Sequence, residues 1–221
     1  MELTDVMRTT FAAREFTDDP LPDDVLWRII DNARFAPSGG NRQGAHIVVV
    51  RDDETKARLA ELGEPTVRRY VAQRDAGEKP WNPVRPTAVS RDVIDAAEVP
   101  DSFVVPIRTA PAVLVASVDL AVVAAVDQDL DRIGVVSGAS VYPLVWNILL
   151  GAREAGFGGT FTTMAVGAEP AVKELLHLPA THAVAAVIPL GKPVRQLTKL
   201  RRQPVEGFVT VGRFDGAPFT S

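Results

Sequence analysis

An apolar segment near the middle of the chain, Asp131–Ala155, constrains the fold more than any other feature of the sequence. Its hydrophobic residues occupy nearly every side of a helix, and the spacing predicts one long helix across Gly134, Gly138 and Pro143. A helix that is apolar all round must be covered all round. A chain of 221 residues buries one substantial core and leaves little for a second. We therefore expect a single domain over residues 1–221, with this helix at its centre and one helix face against a second subunit.

The composition excludes several kinds of functional site. The chain has no cysteine, which excludes disulfides, thiolate nucleophiles and cysteine-ligated zinc or iron–sulfur centres. The histidines, His46, His177 and His182, have no paired ligand spacing, so no metal site is predicted. A net charge of -4 without a basic excess argues against nucleic acid as a partner.

The N-terminus and the apolar segments argue against a membrane. Met1–Thr10 carries acidic residues and no apolar run of signal-peptide length. No stretch reaches the roughly 18 apolar residues that span a bilayer. We expect a cytoplasmic protein without a membrane partner.

Hydrophobic periodicity predicts an alternation of helices and strands. Besides the central helix, helices are predicted over Leu3–Ala13, Pro22–Arg34 and Asp53–Gly63. Strands are predicted over Ile47–Val50, Ala112–Val118 and Ala183–Leu190, with a fourth candidate over Gly207–Val211. Because helices separate the strands without a regular βαβ period, an α+β sandwich is favoured over a doubly wound sheet.

The segment Pro65–Pro106 interrupts this alternation and is rich in charge, proline and isolated aromatic residues. It is too long for an ordinary connection. Two interpretations remain open, a partly helical lid over a site and a mobile surface insertion. In the first interpretation, Tyr70 and Trp81 with nearby arginines would line the mouth of a pocket.

Cations and a glycine loop could together hold a phosphorylated flavin. Such a cofactor requires cations for its phosphate, small polar residues along its ribityl chain, and a backbone donor near its reactive ring nitrogen. Candidate cations are Arg14, Arg201 and Arg202. The candidate loop contains Pro37, Ser38, Gly39, Asn41 and Gln43. Taken alone, each of these residues is more simply explained by an exposed surface or an ordinary turn.

Other catalytic motifs are absent or have simpler explanations. Gly156–Gly159 follows a helix, whereas a dinucleotide-binding fingerprint follows a strand. The pairs Asp18-Asp19 and Asp23-Asp24 lie at helix entries, where capping and the helix dipole account for them. No Gly-x-Ser-x-Gly elbow occurs. No catalytic side chain is therefore predicted.

Several segments follow one another in an order and spacing typical of one family. They are Arg14-Glu15-Phe16 with Pro20-Leu21-Pro22, Ala36–Gln43, Gly138–Pro143 with Asn147–Leu150, Gly156-Phe157-Gly158, Leu190–Pro193, and the basic pair before Pro204. The loop that ends in Asn41-Arg42-Gln43 is the most specific of them. Together they resemble the nitroreductase family of flavoproteins over nearly the whole chain, with Pro65–Pro106 outside the match.

The resemblance implies an α+β fold, a three-layer sandwich in which helices flank a mixed or antiparallel sheet. It also implies a homodimer with FMN sites at the interface, built from both subunits. Arg14 would contact the FMN phosphate or a ring carbonyl, Ser38 and Asn41 the ring and ribityl chain, and Arg201 or Arg202 the phosphate. A backbone donor near the ring nitrogen that receives hydride is expected in one short segment, which contains Thr162, Thr163 and Met164.

The implied activity is electron transfer from NADH or NADPH, through FMN, to an electron-poor acceptor such as a nitroaromatic, a quinone or a free flavin. Sharing of one pocket by donor and acceptor implies a ping-pong mechanism, with the flavin carrying the chemistry. Reductive dehalogenation and oxidative flavin fragmentation occur in related proteins and stay open.

One departure from the family pattern bears on cofactor retention. Thr10, Phe11 and Ala12 occupy positions that are commonly basic or polar in the family. The phosphate contacts are therefore fewer on this side, unless Arg8 or the C-terminal arginines compensate. This departure leaves open an alternative, a flavin-binding sensor or carrier module without turnover.

Overall fold

Four strands form one sheet, in which every pairing is antiparallel. The computed structural model describes residues 1–221. The strands are β1 (Ala45–Val50), β2 (Ala112–Asp119), β3 (Gly158–Gly159) and β4 (His182–Gly191). Their order across the sheet is β1–β2–β4–β3, so the two longest strands lie at its centre.

Helices and short 3₁₀ turns accompany the sheet. The helices are α1 (Leu3–Thr9), α2 (Asp23–Ala33), α3 (Asp53–Asp75), α4 (Arg91–Ala96), α5 (Asp101–Thr109), α6 (Tyr142–Glu154) and α7 (Glu169–Leu175). The 3₁₀ turns are Gly39–Asn41, Val136–Ser140, Met164–Ala168 and Val205–Gly207. No helix is both long enough and apolar enough to cross a membrane.

The central strands are buried on both faces, because successive side chains of a strand point to opposite sides. On one face Leu114 and Ile188 pack with α2 and α6. On the other face Val113 and Val187 pack with Leu59 of α3 and with α5 and α7. Each aliphatic side chain buried in this way stabilises the fold by roughly 1.5 to 3 kcal/mol. The helices on both faces of the sheet confirm the expected three-layer α+β sandwich.

The predicted helix over Asp131–Ala155 is wrong in its first half, because α6 begins at Tyr142, with Pro143 in its first turn. Proline suits that position, where its missing N–H would have no helical partner. Upstream, the buried carboxylate of Asp127 accepts a hydrogen bond from the Val135 N–H at 2.7 Å. This bond is the main reason that the pKa of Asp127 lies below its ordinary value. It holds the preceding segment as an anchored loop rather than a helix.

The first helix is shorter than the predicted Leu3–Ala13, because the chain leaves it to join the sheet. α1 ends at Thr9, and the Ala13 N–H donates to the carbonyl of Gly159 at 3.0 Å. Two further elements were not predicted from the sequence, the two-residue strand β3 and the helix α7. A two-residue strand carries no periodicity to detect.

The fourth predicted strand, Gly207–Val211, is also wrong. It overlaps the 3₁₀ turn Val205–Gly207, and Thr210 forms an isolated bridge with Pro218 outside the sheet. A short β-branched run becomes a stable strand only where a neighbouring sheet can pair with it.

The helix predicted to end at Gly63 continues across Pro65 to Asp75, so the first residues of the Pro65–Pro106 segment belong to the core. Proline removes one helical hydrogen bond at a cost of about 3 kcal/mol. Val67 and Val71 of the extended helix are buried, and their packing offsets this cost. The rest of the segment contains α4 and α5.

Candidate functional site

A cavity of about 240 Å³ opens where the chain after α1 meets the chain after β3, and we call it the Arg14 cavity. Arg14 lines it together with Pro189 of β4 and the segment Thr160–Met164. Tyr70 of α3 and Phe103 of α5 also line it. The structure therefore brings Arg14 and the predicted segment Thr162, Thr163 and Met164 together.

Hydrogen bonds fix the residues on both sides of Thr163, whereas the backbone N–H of Thr163 itself has no acceptor in the chain. The N–H of Thr162 donates to the Val187 carbonyl, and the Val187 N–H donates back, both at 2.8 Å. The Met164 N–H donates to the Thr162 hydroxyl oxygen at 3.3 Å. Between them, the Thr163 N–H donates no hydrogen bond within the chain. Because an unused backbone donor in a cavity gains free energy from an acceptor, this group is suited to a ligand atom.

Aromatic side chains line part of the Arg14 cavity. The ring centroids of Tyr70 and Phe103 lie 5.5 Å apart with the ring planes tilted by 57°. A second cavity of about 490 Å³, which we call the Trp81 cavity, shares Tyr70, Thr163 and Met164 with the first. The two cavities therefore adjoin at Thr163, and residues of the Pro65–Pro106 segment line both.

One contact to the backbone and one to the ring hold Trp81, which lines the second cavity. The buried side chain of Gln73 accepts a hydrogen bond from the backbone N–H of Trp81 at 3.0 Å. The guanidinium of Arg69 lies 4.2 Å from the Trp81 ring centroid, within the range of a cation–π contact. Trp81 has a positive φ of 56°, which a bulky residue adopts only where its surroundings impose it.

A carboxylate closes the loop that carries Trp81. Glu78 accepts hydrogen bonds from the Thr87 hydroxyl at 2.6 Å and from the Ala88 N–H at 2.8 Å. These bonds, led by the Thr87 hydroxyl, hold the pKa of Glu78 below its ordinary value. These hydrogen bonds connect the two ends of the segment 78–88.

The glycine loop lies apart from the Arg14 cavity. Ser38 accepts a hydrogen bond from the Gln43 N–H at 2.9 Å, and the Gly39 N–H donates to the Ser140 hydroxyl oxygen at 3.1 Å. Both Asn41 and Gln43 have a positive φ of 53°, a conformation that asparagine adopts comparatively readily but that is strained for glutamine. Such strain is concentrated at binding sites. None of the predicted loop residues lines the Arg14 cavity, and these are Pro37, Ser38, Gly39, Asn41 and Gln43.

The C-terminal cations occupy a third place. Arg202 lines a cavity of about 530 Å³ with Arg8 and Lys199, which we call the Arg8 cavity. Arg201 is exposed next to it, and its carbonyl accepts a hydrogen bond from Arg202 at 2.7 Å. The predicted site residues thus lie in three places on one subunit.

Phe103, Lys199 and Ser140 were not predicted from the sequence as neighbours of these residues. Lys199 stands two residues before the predicted arginines, so a search for local cation density would have found it. Phe103 and Ser140 carried no signal in the sequence, because only tertiary packing brings them to the Arg14 cavity and to the glycine loop.

Comparisons with known proteins agree with this architecture. A profile of the Nitroreductase family matches residues 7–192. The iodotyrosine deiodinase of Nematostella vectensis is 26% identical over 204 residues, which cover 90% of this chain and 71% of that protein.

Solved structures of flavin-dependent proteins have similar folds. A structure of oxidized iodotyrosine deiodinase bound to FMN and 3-iodo-L-tyrosine is 20% identical, with a TM-score of 0.69 over 96% of this chain and 100% of that chain. The NADPH:FMN oxidoreductase of Vibrio harveyi complexed with NAD+ is 20% identical, with a TM-score of 0.68 over 96% of this chain and 78% of that chain. At these identities the likeness shows the fold.

We expect Glu78→Ala to loosen the loop that carries Trp81. The amide N–H groups of residues 78–88, that of Ala88 above all, should exchange with deuterium several-fold faster than in the unchanged protein. The pKa of Glu78 is lowered, so its carboxylate stabilises the loop fully at pH values above the ordinary pKa of glutamate. This stabilisation is lost as the pH falls through the lowered pKa. Glu98→Ala, in the same region, is the matched control. Equal exchange in both variants would contradict the role of Glu78.

Proposed function

Because this chain belongs to the nitroreductase family, we propose that it is an FMN-dependent oxidoreductase that transfers electrons from NADH or NADPH to an electron-poor acceptor. One observation carries the proposal. The Thr163 N–H is without a partner in the chain, and Thr163 lines the same cavity as Arg14. This arrangement supplies a cation and a backbone donor to one ligand.

The residues present fit an FMN molecule. Arg14 and the Thr163 N–H would hold the flavin ring, since a cation suits a ring carbonyl and a backbone donor suits a ring nitrogen. Ser38 and Asn41, on the strained loop, would hold the ribityl chain. Bound FMN would supply the two-electron chemistry, and the chain then needs no acid, base or nucleophile of its own.

Aromatic walls favour a planar acceptor. Tyr70 and Phe103 line the Arg14 cavity together with Thr163, and Trp81 lines the adjoining cavity. Rings of this kind stack on flat, electron-poor molecules. We therefore propose a nitroaromatic or quinone acceptor. A single cavity that admits the nicotinamide and the acceptor in turn would produce ping-pong kinetics, with the part of the Pro65–Pro106 segment that follows α3 acting as a lid.

A homodimer would complete the site. The glycine loop lies outside the Arg14 cavity of its own subunit, so a second copy of the chain would have to supply it. Several large apolar side chains are exposed in the single chain, among them Trp27, Ile133 and Trp146. Clusters of exposed apolar residues favour association.

We expect the folded protein to be a dimer. Light scattering coupled to size-exclusion chromatography should give twice the chain mass of 23.8 kDa at micromolar concentration. A folded monomer that retains FMN at that concentration would contradict the shared site.

Reductive deiodination is a second candidate activity. It is favoured by the 26% identity to an iodotyrosine deiodinase over 90% of this chain. Iodide release from 3-iodo-L-tyrosine in the presence of a reductant would distinguish this activity from reduction of nitroaromatics and quinones.

Two measurements on the purified protein test the proposed function. The absorbance spectrum after incubation with FMN and removal of free flavin should contain the bands of a bound flavin. NADH or NADPH should then be oxidised steadily when a nitroaromatic or a quinone is present. A yellow protein that oxidises neither nicotinamide would favour the sensor or carrier alternative. A colourless protein would contradict both.

We expect Arg14→Ala to raise the dissociation constant for FMN by at least about tenfold, because it removes a charge-assisted hydrogen bond worth about 1.5 to 3 kcal/mol. Quenching of flavin fluorescence on titration measures this constant. Arg28→Ala, which removes an exposed arginine of α2, is the control for net charge. Unchanged affinity in Arg14→Ala would refute the role of Arg14.

A further inference from the structure

A long loop, residues 120–135, connects β2 to the 3₁₀ turn Val136–Ser140 and contains no helix or strand. We call it the Asp127 loop. Its backbone N–H groups donate mainly to near neighbours in turns, so these bonds do not fix the two halves of the loop relative to each other. An ordered loop of this length is uncommon in a compact domain and is often functional.

The carboxylate of Asp127 joins the two halves of this loop. Its side chain is only 4% exposed. The Oδ2 atom accepts hydrogen bonds from the backbone N–H groups of Val135 at 2.7 Å and Val136 at 3.3 Å. It also accepts a hydrogen bond from the guanidinium of Arg132 at 2.8 Å. Because hydrogen bonds to an ionised group are stronger than those between neutral groups, this carboxylate fixes the end of the loop against its middle.

Both flanks of the Asp127 contact touch the glycine loop. On one flank, the Val122 carbonyl accepts a hydrogen bond from the Arg42 guanidinium at 3.1 Å. On the same flank, the Cβ of Ala124 would lie only 3.3 Å from a Cβ at Gly39. On the other flank, the Ser140 hydroxyl oxygen accepts a hydrogen bond from the Gly39 N–H at 3.1 Å. Gly39 therefore contacts residues on both sides of Asp127 in the sequence.

The glycine loop needs such support because part of its backbone is strained. Gln43 has a positive φ of 53°, and a strained conformation persists only where its surroundings determine it several times over. Inside the loop, the Gln43 N–H donates to the Ser38 hydroxyl oxygen at 2.9 Å. The contacts to Gly39 and Arg42 from outside the loop add to this bond.

We propose that Asp127 is a positioning residue for the flavin site, which acts on the glycine loop through the Asp127 loop and Ser140. This inference rests on the proposed function, in which Ser38 and Asn41 hold the ribityl chain of the flavin. Without the carboxylate, the glycine loop would spend part of its time in conformations that do not bind the ribityl chain. The affinity for a ligand falls in proportion to the fraction of the protein that is competent to bind it.

Hydrogen–deuterium exchange of the flavin-free protein tests the first step of the proposal. We expect the amide N–H groups of residues 39–43 to exchange several-fold faster in Asp127→Asn than in the unchanged protein. Those of Thr162 and Met164, which donate to other acceptors, should be unaffected. Asp129→Asn removes an exposed carboxylate from the same loop and is the matched control. Equal exchange of residues 39–43 in both variants would overturn the proposal.

A pair of ligands tests the second step. Lumiflavin has the ring of riboflavin with a methyl group in place of the ribityl chain. Titrations followed by fluorescence quenching should show that Asp127→Asn lowers the preference for riboflavin over lumiflavin by at least about threefold. Arg14→Ala should weaken the binding of both ligands alike. If Asp127→Asn also weakened both alike, Asp127 would have a general structural role and the proposal would fail.

Ser140→Ala tests the route from Asp127 to the glycine loop, because it removes the acceptor of the Gly39 N–H. If both residues act on this loop, the double variant should weaken riboflavin binding by less than the product of the two single effects. Independent effects would overturn the proposed route.

Two further measurements separate this proposal from its premise. If the unchanged protein bound neither FMN nor riboflavin, the proposed function would fail, and the role of Asp127 at a flavin site would fail with it. The exchange rates of residues 39–43 would then still show whether Asp127 holds the glycine loop. Circular dichroism and the melting temperature of each variant confirm that it is folded.

Discussion

The antiparallel pairing of β2 with β4 is the interaction on which the rest of the structure depends. It joins Leu114 to Ile188 and Val115 to Val187 in register, and helices cover it on both faces. On the side of β4 that faces away from β2, Val187 also exchanges two hydrogen bonds with Thr162. The core strand β4 therefore sets the position of the backbone next to Thr163. A change in core packing that moved Val187 would also move the lining of the Arg14 cavity.

A close approach at Gly159 links the same sheet to the N-terminal segment. A Cβ at this position would lie 2.4 Å from the Pro189 carbonyl oxygen, so only glycine lets β3 pair here. Its carbonyl accepts the hydrogen bond from Ala13, next to Arg14 in the chain. This glycine thus lets β3 pair with β4 at the point where the segment before Arg14 joins the sheet.

The sequence predicted a set of residues for the candidate site but contained no information on their arrangement. Arg14 and Thr163 lie together, whereas the loop at Ser38 and the arginine at 202 lie in other places on the subunit. The family pattern consists of the order and spacing of motifs along the chain. Order and spacing do not tell which of these residues line the same cavity. The family profile over residues 7–192 confirms the pattern, while the joining of the three places depends on the proposed dimer.

The sequence by itself determined the core strands and the family, because continuous apolar runs and short loop motifs are local properties of the chain. Only the tertiary structure decided where helices begin and which cations meet. The apolar segment before Tyr142 has helical spacing, yet Asp127 and Val135 hold it as a loop through hydrogen bonds that periodicity does not encode. Arg8 and Lys199 come from opposite ends of the chain. Contacts between residues so far apart depend on the packing of the whole fold.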